Sequence, residues 1–490
     1  MTTKLETNQI QQAVTAHHEG KLEEAERLYR EILKIDFFHP DIHNNLGIIM
    51  QSYGKLDKAE VSFKKSIELN PNNAEVYRNL GNILINLGKL EEAEISYKKA
   101  IELKPNYHEV HNSLGTTQYQ LDELDKALIS FRKAIEFKPD YADAYNNLGL
   151  VMKELGNLYE AKKTFEKSIE LKPRSAEAHN NLGNTLKTLG RLEEAELSFR
   201  KTLEIKPSNA IALNNLGVAL FENKQYKKAA EQFILSDLDI SKFYLLKCFY
   251  LLNQQSNFYN EIDFLLHKGV NNALIGSLIS SAKIRYGINK PNPFCNDPLN
   301  YVLKTDLIIK CNFKNIFIKG ASNILNDDKV ENRRQGLLTS GVQTAGDIFL
   351  NGGKTIDEMK KIIYSEIEKY RVNFKDSNEG FLKKWPTDYF IKGWLVSMKS
   401  GGKLAPHMHE LGWLSGSIYI NVPPKSKVDS GNLVVCMGDS EQASSEKQNK
   451  KSMDVVTGSL CLFPSSLHHY TIPFESNQER IVLAFDVMPK

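Results

Sequence analysis

A glycine recurs every 34 residues through most of the first half of this chain. Gly47, Gly81, Gly115, Gly149, Gly183 and Gly217 keep the step, and each follows a leucine, from Leu46 to Leu216. Ala59, Ala93, Ala127, Ala161, Ala195 and Ala229 keep it too, as do Phe63, Tyr97, Phe131, Phe165, Phe199 and Phe233. Pro71, Pro105, Pro139, Pro173 and Pro207 close successive units. A period of this length is one supersecondary unit repeated, and no unit can bury its apolar face alone. The stretch must therefore stack unit on unit. Glycine and alanine at fixed positions let two helices of a unit approach closely. Gly54, Gly88, Gly156 and Gly190 fall between those helices, where a left-handed cap is wanted. The prolines end the second helix and fix the turn into the next unit.

The pattern resembles the tetratricopeptide repeat over residues 6–236. That resemblance implies an all-α superhelix with a concave groove. Residues 8–37 keep the frame through Gly20, Ala25 and Tyr29 but lack the Leu-Gly pair, so they are expected to cap the N-terminal end. One more column stands out. Asn45, Asn79, Asn147, Asn181 and Asn215 precede the leucine, with Ser113 as the exception, and Asn44, Asn112, Asn146, Asn180 and Asn214 double it. The Asn-Asn-Leu-Gly unit resembles the superhelix of the protein O-linked N-acetylglucosamine transferase. This implies an asparagine ladder that lines the groove and holds an extended peptide, a task suited to an amide with both donors and an acceptor. The alternative is that the asparagines bond within their own repeats. The expected partner is a protein or extended peptide.

At 490 residues the chain is too long for one core, and two or three domains are expected. A net charge of +3 argues against nucleic acid as a partner. The five cysteines have no zinc or redox spacing, which points to reduced thiols. The N-terminal residues carry no apolar signal region, and no apolar run is long enough to span a membrane. A cytoplasmic chain without a membrane partner is the expectation.

After residue 236 the columns fade. Residues 237–299 read as a degenerate helical hairpin that caps the array, followed by a turn-rich connector. From 300 to 490 the period shifts towards two. LIIKCNFKNIFIKG, YFIKGWLVSMKS, GWLSGSIYINVP, GNLVVCMG, GSLCLFP and ERIVLAFDVM read as short strands, with one helix over 355–374. Many short strands behind an all-helical half suggest a jelly roll with a flanking helix. The polar stretch 439–451 reads as a solvated loop, with a lid over a site as the functional alternative.

The chemistry concentrates in this half. His407 and His409 are two apart at the start of a strand-like segment, so both rings can reach one metal while Met408 and Glu410 point away. His469, after GSLCLFP, can complete the set; its neighbour His468 faces the other way in a strand. Imidazoles suit iron, zinc, copper or nickel, so the ligands alone do not choose. Trp413 beside the pair reads as core or pocket wall.

HMHELGWLSGSIYINVP, GSLCLFPSSLHHYTIPF and ERIVLAFDV, supported by RRQGLLTSGVQTAGDIF, resemble an iron(II)/2-oxoglutarate-dependent oxygenase of the kind found behind tetratricopeptide arrays. The resemblance implies a double-stranded β-helix over 300–490, with Fe(II) and 2-oxoglutarate as cofactors. It implies hydroxylation of a protein or peptide substrate, with 2-oxoglutarate oxidised to succinate and carbon dioxide. His407 matches the first metal ligand, His409 the position of the usual carboxylate, and His469 the distal ligand, with Pro473 behind it. Arg480 matches the residue that binds the far carboxylate of 2-oxoglutarate, and Tyr419 a tyrosine that bonds the same group. The chain departs from the family pattern twice. His409 stands where Asp or Glu is usual, which removes one negative charge, and Val482 stands where Ser is common. The competing reading is a non-catalytic scaffold whose β-domain is a metal-binding remnant. A further reading has the β-domain act on a small molecule or glycan while the repeats only localise it.

Overall fold

The computed structural model describes residues 4–35, 38–327, 330, 332–333, 337–350, 352–438 and 449–490. The chain forms two compact units, Met1–Ser241 and Lys242–Lys490.

The first unit holds fourteen described helices in antiparallel pairs, from Lys4–His18 with Leu22–Ile35 to Ala210–Glu222 with Tyr226–Ser236. The 34-residue columns explain the pairing. A Cβ placed on Gly149 would lie 2.7 Å from the Phe165 ring, and the other five Leu-Gly glycines meet their own aromatic column at 2.5–2.7 Å. The glycine thus makes room for the aromatic sixteen residues later, which is buried in every repeat. Between the helices, Gly88 is left-handed (φ +72°). One repeat later Asp122 keeps that conformation (φ 59°), and Lys224 keeps it one repeat after Gly190 (φ 57°). The cap geometry therefore persists where the glycine does not.

The asparagine column follows neither sequence expectation simply. Asn79, Asn147, Asn181 and Asn215 each donate an N–H to the Oδ1 of the leading asparagine of the preceding repeat, Asn44, Asn112, Asn146 and Asn180, at 3.0–3.2 Å. Asn45 donates to the Tyr29 hydroxyl. The amides zip neighbouring repeats rather than closing on their own. Where Arg78 and Ser113 replace the two asparagines, Arg78 turns to Tyr107 and Asn79 instead.

The second unit begins inside helix Asp239–Leu251, and helix Gln255–His267 follows it. Helix Ala273–Tyr286 follows. Ala273, Phe294 and Cys295, from the segment read as connector, are buried in the same core as the strands. Ten strands come next: β1 (Leu303–Asp306), β2 (Asn332–Arg333), β3 (Leu338–Thr344), β4 (Tyr389–Leu404), β5 (Leu414–Asn421), β6 (Leu433–Cys436), β7 (Lys450–Met453), β8 (Ser459–Pro464), β9 (His468–Thr471) and β10 (Arg480–Pro489). They form an antiparallel seven-stranded sheet, β1-β8-β5-β10-β4-β3-β2, and a three-stranded sheet, β7-β6-β9.

One expected strand is a helix. LIIKCNFKNIFIKG turns after β1 and coils through Lys314–Ile318 into Lys319–Leu325. Phe313, Phe317 and Ala321 are buried at a spacing of four, whereas Ile309 is 82% exposed. Asn315 and Lys319, which a strand would place on that same face, are exposed, and Gly320 beside Ala321 is buried, which is helical burial.

The period of two in the real strands sorts two faces. Leu414, Ile418 and Ile420 of β5 with Leu483, Phe485 and Val487 of β10 face helix Lys354–Asn373. Tyr419 and Val482 face the small sheet, packing with Leu433, Val435 and Met453. Trp413 lies in the first core and donates to the Phe381 carbonyl, as a core residue. Residues 439–448 of the proposed lid, and part of the RRQ segment, lie outside the described residues, while Lys450 and Lys451 belong to β7. Among the described residues no helix is long and apolar enough to cross a membrane.

Candidate metal centre

The face shared by the two sheets carries a cavity of about 450 Å³. Even-numbered residues of β4 (Lys392, Trp394, Val396) and β10 (Val482, Ala484) line it, with Ser417 and Tyr419 of β5 and His407, His409 and His469. The three histidines each offer a ring nitrogen, and these atoms all lie within 4.8 Å of one another. His407 is not in a regular strand. It is held by a single antiparallel bridge to His469, with N–H to carbonyl bonds of 3.1 and 2.8 Å. Convergence therefore comes from that bridge. The same departure brings Met408, expected to point away, into the cavity wall. Glu410 does point elsewhere, to Lys247. His468 faces Ser277, leaving the cluster to His469.

The electrostatics favour neutral rings. Burial, then the neighbouring His409, pushes the His407 pKa down to about 4. Burial and the other two imidazoles hold His469 well below the usual histidine range. Neutral imidazole is the metal-ligating form. The Nδ1 of His407 lies 2.9 Å from the Ala405 carbonyl, which accepts only. This Nδ1 is therefore the N–H, and Nε2 keeps its lone pair. The Nδ1 of His409 lies 2.7 Å from Asp486 Oδ1.

Arg480 begins β10 on the strand face that carries the cavity residues Val482 and Ala484, and is 0% exposed. Its guanidinium carbon lies 5.0 Å from the Tyr419 ring centroid and 5.9 Å from that of Phe474. None of its three side-chain nitrogens has a hydrogen bond of normal geometry among the described residues. Burial lowers its pKa while the Tyr419 hydroxyl opposes the shift, and burial raises that of Tyr419. A buried cation whose N–H groups make no well-formed hydrogen bond is costly, and it is the complement of a carboxylate.

Sequence reasoning missed Asp486, which bonds to His409, and two residues of the cavity wall. Asp486 shares a strand face with Arg480, so its even spacing was a usable signal. Trp394 packs edge-on to His409 at 5.3 Å, and Gln343 presents a buried Oε1 with no partner among the described residues. Neither carries a local motif.

Residues 392–486 match the family described as "Putative 2OG-Fe(II) oxygenase". Tetratricopeptide-repeat models match 9–31, 49–88, 74–107, 118–156, 140–208 and 198–231. The chain is thus a tetratricopeptide-repeat protein. Behind its repeats it carries a domain of that oxygenase family. Similar solved structures include MamA, 32% identical, covering 34% of this chain and 96% of that one with a TM-score of 0.32. Pseudomonas aeruginosa PilF is 20% identical, covering 42% of this chain and 95% of that one with a TM-score of 0.39. YrrB, a tetratricopeptide protein with an unusual peptide-binding site, is 24% identical, covering 38% and 95% with a TM-score of 0.34. No curated protein matches the chain.

Proposed function

We propose that the second unit is an Fe(II)- and 2-oxoglutarate-dependent oxygenase on a double-stranded β-helix. The repeat groove recruits its protein or extended-peptide substrate. The observation that carries this reading is Arg480, fully buried beside Tyr419, its three nitrogens without a hydrogen bond of normal geometry among the described residues, on the strand face of the cavity residues Val482 and Ala484.

The residues fit the group. Three imidazoles within reach of one ion suit Fe(II), and a guanidinium fork suits a dicarboxylate's far end. Bound Fe(II) and 2-oxoglutarate supply the oxidation, with oxygen consumed, the cosubstrate converted to succinate and carbon dioxide, and the substrate hydroxylated. In this reading His407, His409 and His469 hold the metal. Arg480 and Tyr419 fix the cosubstrate's orientation, and Trp394, Val396 and Val482 keep the cavity dry. The ladder asparagines each keep a second N–H beyond the one bonded to the neighbouring repeat, which supports peptide capture.

The test is anaerobic addition of Fe(II) and 2-oxoglutarate, monitored by the visible iron-to-keto-acid charge-transfer band, then air and a succinate assay. A band requiring both components, lost in His469→Ala, is expected. Folded, metal-bound protein giving neither band nor succinate would leave the non-catalytic scaffold.

A further inference from the structure

We propose that Asp486 is a positioning residue for this metal centre. It orients His409 and supplies, through it, the negative charge that an imidazole at position 409 lacks. The inference rests on the metal reading above.

Two neutral imidazoles and a carboxylate carry one negative charge, whereas three neutral imidazoles carry none. Glu410, adjacent in sequence, is spent on Lys247. The carboxylate that meets the cluster comes instead from β10, where Asp486 is buried at the site-facing end of the sheet. Its Oδ1 lies 2.7 Å from His409 Nδ1 and 2.7 Å from Ser415 Oγ, and Ser465 Oγ is 2.8 Å from Ser415 Oγ. Strand register builds this contact, because Ser415 is the direct cross-strand partner of Asp486. Gly412 closes the turn above it, where a Cβ would lie 2.7 Å from Ser465 Oγ and 3.3 Å from the Asp486 carboxyl carbon.

A carboxylate oxygen accepts and does not donate, so His409 carries its hydrogen on Nδ1 and keeps the Nε2 lone pair. His407 is set the same way by the Ala405 carbonyl. The difference is charge. A carboxylate behind an imidazole raises its basicity as a ligand, and removing such a partner typically weakens metal binding about 10- to 100-fold.

The test uses the full chain, with Co(II) as the probe, and the variants Asp486→Asn, Asp486→Ala and Asp486→Glu. Asp486→Asn keeps volume and a hydrogen-bond acceptor but removes the charge. We expect Co(II) affinity to fall about 10- to 100-fold in Asp486→Asn and Asp486→Ala, with partial recovery in Asp486→Glu. The Co(II) ligand-field spectrum should shift in both weakened variants. Nitrogen NMR of metal-free protein should show His409 as the Nδ1–H tautomer, and a mixture in Asp486→Ala. Tight Co(II) binding by the wild type with an unchanged affinity and spectrum in Asp486→Asn overturns this proposal alone. A wild type that binds no Co(II) overturns it together with the metal reading.

Discussion

Arg480→Met offers a prediction with two opposite signs. The guanidinium is 0% exposed and its nitrogens have no partner among the described residues. Removing one partner of a buried ion pair costs about 3–5 kcal/mol, and an unsatisfied buried polar group about 1–3 kcal/mol. Methionine fills similar length without a charge, among Tyr419 and Phe474. The metal-free variant should therefore be more stable than the wild type by about 2–4 kcal/mol. For a unit of this size that raises Tm by roughly 5–10 °C. Ligand response should move the other way. Saturating 2-oxoglutarate with metal should stabilise wild type by about 2.7 kcal/mol at a hundred times Kd. In Arg480→Met that gain should vanish, because truncating one side of a buried charge pair costs about 2–5 kcal/mol, or roughly 30-fold or more in affinity. Differential scanning calorimetry with and without 2-oxoglutarate reads both effects. A variant destabilised without ligand would mean that the guanidinium is satisfied within the fold. A retained 2-oxoglutarate shift would place the anion elsewhere.

Three further outcomes can be checked directly. Gly149→Ala should lower the unfolding free energy, read from urea denaturation, by a net of about 1–2 kcal/mol, as the added methyl against Phe165 outweighs the helix propensity gained. Combining it with Phe165→Leu should recover part of the loss, and additive losses would contradict the contact. Asn181→Ala should cost about 1 kcal/mol of stability by taking the donor from Asn146 Oδ1, measured by chemical denaturation. The same variant, joined with Asn147 and Asn215 replacements, should weaken peptide binding without changing succinate formation in the absence of substrate; unchanged peptide affinity would end the groove reading. Burial pushes the Cys248 and Cys461 thiols up to about 12 and Cys295 higher still, so iodoacetamide at pH 8 should label Cys311 first and those three only on unfolding.

The repeats were legible because their physics is local. A glycine and an aromatic sixteen residues apart meet in every unit, and six copies make the rule visible without any structure. The asparagine column shows where that legibility stops. Its period is plain, but whether Asn181 bonds its own helix or Asn146 depends on how two units stack. The β-half fails differently. LIIKCNFKNIFIKG is rich in β-branched residues and alternates loosely, so propensity favours a strand. What decides is the core: Phe313, Phe317, Gly320 and Ala321 are buried while Asn315 and Lys319 between them are exposed, a pattern a helix makes and a strand does not.

The metal site was half visible for the same reason. His407, His409 and His469 carry a spacing that names them, and Arg480 follows on the next strand. Their convergence nonetheless depends on a bridge between a loop and β9 that no local period encodes. Asp486 is more instructive. In the sequence it is one acid on the same strand face as Arg480, with no motif to say what it meets. Register gives it its partners, since β10 lies between β4 and β5 and sets Asp486 opposite Ser415 and next to His409. The replacement of a carboxylate by His409 looks in sequence like a lost charge. In three dimensions a buried carboxylate stands one hydrogen bond further back. A histidine in that position therefore cannot be judged inactive from the motif alone; the residue that decides its ligand strength lies seventy-seven positions away.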